Sequence, residues 1–95
     1  MKTENYIKLM TSVSDMKFWM GAIRDDAQRE KNFARRNAYN DALYYLHTGR
    51  LSAAGEKAIY ANISNVLKKL DTWQGGTTDD MGKYLMSFIK PELPF

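Results

Sequence analysis

From Ser14 to Thr48 the chain runs thirty-five residues without a proline and with Gly21 as its one glycine. Met16, Met20, Ile23, Ala27, Ala34, Ala38 and Tyr45 stay within about 60° of one another at 100° per residue, so one apolar stripe keeps its phase throughout. The pattern predicts a single helix over about 14–48, roughly 50 Å long at 1.5 Å per residue. Ser12-Val13-Ser14-Asp15 fits an N-terminal capping pattern, in which hydroxyl and carboxylate satisfy the free amides of a first turn. Gly49 after Thr48, with His47 in the last turn, marks the stop. A turn would fit best in the polar belt from Arg24 to Asn32, where Ala27 is the only apolar residue. Asp25 and Arg29, four residues apart, favour continuity there by a few tenths of a kcal/mol.

Shorter patterns flank this rod. Thr3 is placed to cap a first helix that buries Tyr6, Leu9, Met10 and Val13 and ends near Thr11. An unbroken run into the rod would give a heptad stripe from Tyr6 to Ala27, and the break is preferred. Ser52 caps a helix over 53–72 whose stripe is Ile59, Ile63, Val66, Leu70 and Trp73; the four-residue connection makes it an antiparallel hairpin with the rod. Gln74-Gly75-Gly76-Thr77-Thr78 reads as a hinge, and Thr77 with Asp80 repeats the capping pattern. Met81, Tyr84, Leu85, Phe88 and Ile89 are the apolar face of a last helix over 79–90, ended by Pro91. The tail beyond it is expected to be extended, with Leu93 and Phe95 as anchors.

The expected fold is therefore all-α: a three- to four-helix bundle with one long central helix, a hairpin partner and a short C-terminal helix, in one domain spanning 1–95. The partner helix of twenty residues reaches about 30 Å and covers the rod only from Thr48 back to about Gln28. Phe18 and Trp19 lie off the main stripe, leaving the first half of the rod apolar around most of its circumference. Self-association, as a dimer, is the expected remedy, through Met16, Phe18, Trp19, Met20 and Ile23.

Composition narrows the function. A chain of 95 residues with 44% hydrophobic and 26% charged residues is globular. No run approaches the ~20 apolar residues a membrane span needs. The absence of cysteine removes disulfides, thiolate nucleophiles and zinc fingers. The first residues lack the apolar core of an export signal, so a cytoplasmic location is expected. The net charge is +3, and residues 27–50 carry five basic groups against two acidic ones.

Candidate chemistry is thin. His47 is the only histidine; with no partner for a triad its expected place is a helix C-terminus. Asp25, Asp26 and Glu30 are interleaved with Arg24, Arg29 and Lys31, a solvated belt and not a metal site. Gly75-Gly76-Thr77-Thr78 lacks the lysine and spacing of a phosphate loop, and Asp79 and Asp80 would repel phosphate. No cofactor or metal is expected. On a continuous rod Arg24, Lys31 and Arg35 fall on one line and Arg36 on a second, with Arg50 beyond, a surface suited to phosphate or to an acidic protein patch.

These features point to a non-enzymatic helical protein that binds and regulates another macromolecule, an inhibitor or adaptor of the size that phages and other mobile elements encode. The alternative is a nucleic-acid or nucleotide-binding module using Arg24, Lys31, Arg35, Arg36 and Arg50. Salt dependence separates the two, since phosphate binding releases counterions.

Overall fold

The computed structural model describes residues 2–89. It is all-helical, with α1 Thr3–Ile7, α2 Val13–Arg29, α3 Phe33–His47, α4 Ala53–Ala61, α5 Ile63–Asp71 and α6 Thr78–Met86. Most expected starts are where the capping residues place them. The Asp15 amide donates to Ser12 Oγ at 3.1 Å and the Gly55 amide to Ser52 Oγ at 3.0 Å. Thr77 and Asp80 form a reciprocal capping box, with Asp80 N to Thr77 Oγ1 at 3.0 Å and Thr77 N to Asp80 Oδ2 at 3.3 Å.

The rod over 14–48 does not exist. Its two halves, α2 and α3, fold back on each other as a hairpin and form the most extensive helix pairing in the molecule. Lys31 takes a left-handed backbone, φ 58°. The Lys31 amide donates to Gln28 O at 3.1 Å and the Asn32 amide to Ala27 O at 2.9 Å. This pair of bonds closes a helix C-terminus through a left-handed residue, usually glycine. Asn32 then starts α3 by accepting from the Arg35 amide at 3.2 Å. The stripe does not carry across the turn: Met16, Met20, Ile23 and Ala27 are buried on α2, whereas on α3 Ala34 is exposed and Tyr45 half-buried, and the buried face is Ala38, Tyr39, Ala42, Leu43 and Leu46.

Other differences are local. Lys2, not Thr3, precedes α1 and makes no side-chain cap; α1 ends at Ile7, and Leu9 is exposed instead of buried. The break before α2 is present, so the heptad from Tyr6 to Ala27 is not a continuous helix. The helix expected over 53–72 is interrupted at Asn62, whose side-chain amide donates to Ala58 O at 2.9 Å. The interruption sends α4 to α2, where Lys17 Nζ meets Glu56 Oε2 at 2.6 Å, while α5 is the part of the expected partner helix that packs on α3. α6 ends at Met86, before Phe88 and Ile89, which still pack against the core. The helix expected over 79–90 is thus three residues short of the described limit at Ile89; Lys90 and the tail with Leu93 and Phe95 lie outside the described residues.

One contiguous core draws on all six helices, with Tyr39, Met16, Met20, Ile23, Ile59, Leu67, Leu70 and Met81 among its fully buried side chains. Burial of each such side chain contributes about 1.5–3 kcal/mol. No helix among the described residues is long and apolar enough to cross a membrane.

Candidate functional site

The hairpin redistributes every residue singled out for binding. Met16, Met20 and Ile23 are 0% exposed inside the chain's own core, so they offer nothing to a second copy. Trp19 lies half-buried beside Tyr6, ring centroids 5.8 Å apart. Phe18 alone among the five is open, at 67% exposure, standing edge-on to Trp19 at 4.9 Å. Its neighbours on that side of α2, Ser14 and Asp25, are polar and exposed. The reason for self-association, an uncovered half of the rod, is gone.

The basic residues are dispersed. Arg35 turns inward: Nε donates to Asp71 Oδ1 at 2.9 Å and Nη2 to Thr3 Oγ1 at 2.7 Å, while Tyr39 Oη donates to the same Asp71 oxygen at 2.7 Å. Burial, with the Asp71 carboxylate adding to it, holds the Tyr39 phenol far above the ordinary tyrosine range. This cluster ties α1, α3 and α5 together. It floors an open groove of about 900 Å³ whose charged rim mixes Lys2, Lys8 and Lys68 with Glu4 and Glu30. Arg24 pairs with its neighbour Asp25 at 3.2 Å. Lys31 is exposed in the turn. The Arg36 guanidinium carbon lies 5.8 Å from the Phe33 ring, and its Nε has no hydrogen-bond partner among the described residues. Arg35 lies in the first turn of α3, whereas Arg50 follows the turn beyond its C-terminus. No single track of cations survives.

Arg50 is the exception that acquires a setting. Thr48 closes α3, its amide donating to Tyr44 O at 3.0 Å, and Gly49 follows with φ 73°, a conformation that strains any residue bearing a Cβ. That reversal turns Arg50 back onto α3, and Leu51, 4% exposed, pins the far side of the turn in the core. Arg50 Nη2 donates to Tyr44 Oη at 2.9 Å, with the guanidinium carbon 5.1 Å from the ring centroid. Tyr44 meets Tyr45 edge-on at 5.7 Å, and Tyr45 Oη donates to Thr78 O at 3.0 Å, which locks the start of α6 against α3.

Between α3 and α6 this leaves a shallow groove of about 460 Å³, lined by Tyr45, Arg50, Asp79, Gly82, Lys83 and Met86. Met86 on one bank is 49% exposed and Tyr44 beside Arg50 is 39% exposed. Tyrosine, arginine and methionine are enriched where proteins bind one another, and anchors held in place before binding lose little entropy. Of these residues the sequence pattern singled out Arg50 as a binding group and Tyr45 as part of the apolar stripe. It missed Gly82, Lys83 and Met86, because their meeting with α3 depends on α6 crossing at Gly82; a glycine inside an otherwise regular helix was the available signal.

Among the described residues no group of three or more histidine or acidic side chains is arranged to hold a metal ion. Comparison of the chain with protein-family models, with curated proteins and with solved structures finds no match.

Proposed function

We propose that this chain is a non-enzymatic interaction protein, of the inhibitor or adaptor kind, that binds another protein through the corner formed by Tyr44, Arg50 and Met86. The observation that carries this reading is an exposed methionine and an arginine lining one groove, with an exposed tyrosine hydrogen-bonded to that arginine. The core closes within one chain, so binding is not a requirement of folding. The nucleic-acid alternative loses support, because Arg35 is engaged with Asp71 and the other cations lie on separate elements.

The test is affinity capture with three immobilised forms: the wild-type protein, a Tyr44→Ala/Arg50→Glu double variant, and Lys57→Glu, a charge reversal at an exposed position of α4. A protein retained by the wild type and by Lys57→Glu but lost with the double variant supports the reading. Identical retention by all three, with circular dichroism showing each folded, refutes it.

A further inference from the structure

We infer that the α3–α6 groove takes an acidic segment of its protein partner, seating a carboxylate on Arg50 and Lys83 and an apolar side chain between Tyr44 and Met86. This rests on the proposed protein-binding role of the corner and adds the chemistry of what fills it.

Charge pairing within the chain points there. Arg24, Arg29 and Arg35 are each matched to a carboxylate, of Asp25, Asp26 and Asp71 respectively. Arg50 is held by a neutral acceptor, the Tyr44 hydroxyl. A guanidinium carries five N–H donors in a rigid fork, so this single bond fixes the group and leaves most of the fork free. Lys83 lines the same groove and makes no ion pair among the described residues, although Asp79 stands one helical turn before it. Arg50 and Lys83 against Asp79 leave the groove one positive charge in excess. Arg36 also makes no ion pair among the described residues, but it lies against the Phe33 ring and does not line this groove; Arg50 is the arginine without a carboxylate that does.

The apolar half of the site selects the source of that carboxylate. Tyr44 and Met86 are the exposed large side chains beside the two cations. A phosphate backbone would meet only two cations here, whereas phosphate binding grows with the number of cations along a track. A protein segment with a glutamate or aspartate next to a leucine-like side chain satisfies both halves.

The experiment is a titration of the ¹⁵N-labelled full chain with acetyl-(Glu-Leu)₃-amide and with its neutral counterpart acetyl-(Gln-Leu)₃-amide, followed by amide chemical shifts. The acidic peptide is expected to move Tyr44, Arg50, Lys83 and Met86 first, and to lose up to about fivefold in affinity in Arg50→Gln, the upper end for an exposed charge pair. Lys83→Gln should give a smaller loss in the same direction. Equal binding of the neutral peptide at these residues overturns the carboxylate and leaves a purely apolar corner. Shifts confined to the α1–α5 groove overturn it as well, as does a mixed single-stranded oligonucleotide that binds the corner more tightly than the acidic peptide. If neither peptide moves these residues while capture still depends on Tyr44 and Arg50, this inference fails alone; if capture is also insensitive, the protein-binding reading fails with it.

Discussion

Gly82 gives the sharpest test of the α3–α6 crossing that builds the groove. A methyl added there would lie 2.7 Å from Tyr45 Cζ and 3.1 Å from Cε1. Ordinary carbon contacts are about 3.5–4.0 Å, so ring and helix must separate by up to about 1 Å. The ring has little room to yield, because its hydroxyl is bonded to Thr78 O at 3.0 Å and its edge meets Tyr44 at 5.7 Å. Two effects oppose each other in Gly82→Ala. Alanine in a helix interior stabilises by about 1 kcal/mol relative to glycine, while overpacking of this kind costs about 1–3 kcal/mol. The net expectation is a loss of about 1 kcal/mol, which for a domain of this size lowers Tm by about 4–8 °C. In a Tyr45→Ala background the obstacle is absent and the same substitution should stabilise by up to about 1 kcal/mol. Urea unfolding of the four proteins, followed by circular dichroism, gives the cycle, with a coupling on the order of 2 kcal/mol expected. If Gly82→Ala raises stability in the wild-type background, α6 does not press on Tyr45 and the groove is not built as described.

Lys31→Gly should raise stability by up to about 1 kcal/mol in the same assay, because glycine adopts the left-handed backbone without a Cβ penalty; in a continuous helix the sign would reverse, so a loss would restore the rod. The pH dependence has two limbs. Tyr39, its phenol raised mainly by burial, contributes stability that is full below the unfolded tyrosine value of about 10 and falls as pH rises beyond it. Tyr39→Phe should flatten that alkaline loss in part, since Tyr6 and Tyr84 are raised as well. Asp26 is lowered chiefly by the hydroxyl of Tyr6, so its contribution is present above about pH 4 and fades on acidification; Tyr6→Phe should weaken that acid limb, and an unchanged acid profile would show that this hydrogen bond is not formed.

What the sequence made legible were signals carried by a residue's own chemistry. Ser12, Ser52 and Thr77 cap helices because a side-chain oxygen three residues before an amide reaches it in any context. Gly49 ends α3 for a similarly local reason. The polar belt from Arg24 to Asn32 is where a turn fits best, yet the sequence favours a continuous helix, because a lysine occupies the left-handed position where glycine is the usual marker. On α3 the buried face is Ala38, Tyr39, Ala42, Leu43 and Leu46, turned away from the line of Ala34 and Tyr45 that suggested one rod. The interruption at Asn62 escaped too: Ile59, Ile63, Val66 and Leu70 are all buried as an unbroken helix would bury them, so the core pattern gives no hint that α4 has turned toward α2.

The same hairpin decides what kind of binding the molecule supports. A rod with Met16, Met20 and Ile23 uncovered would need a partner in order to fold, and any substitution there would disturb stability and binding together. With those side chains enclosed at 0% exposure, the groups left for recognition are surface residues whose positions are set by neighbours in the core: Arg50 by Gly49 and Leu51, Tyr44 by the register of α3, Met86 by the crossing at Gly82. Reversing Arg50 alters stability by about half a kcal/mol or less, whereas truncating Tyr44 also removes its edge-on contact with Tyr45, of about 0.5–1.5 kcal/mol, so circular dichroism of the double variant accompanies the capture. Under the proposed reading folding and recognition are separable, and a loss of capture in a folded Tyr44→Ala/Arg50→Glu variant reports on the corner itself.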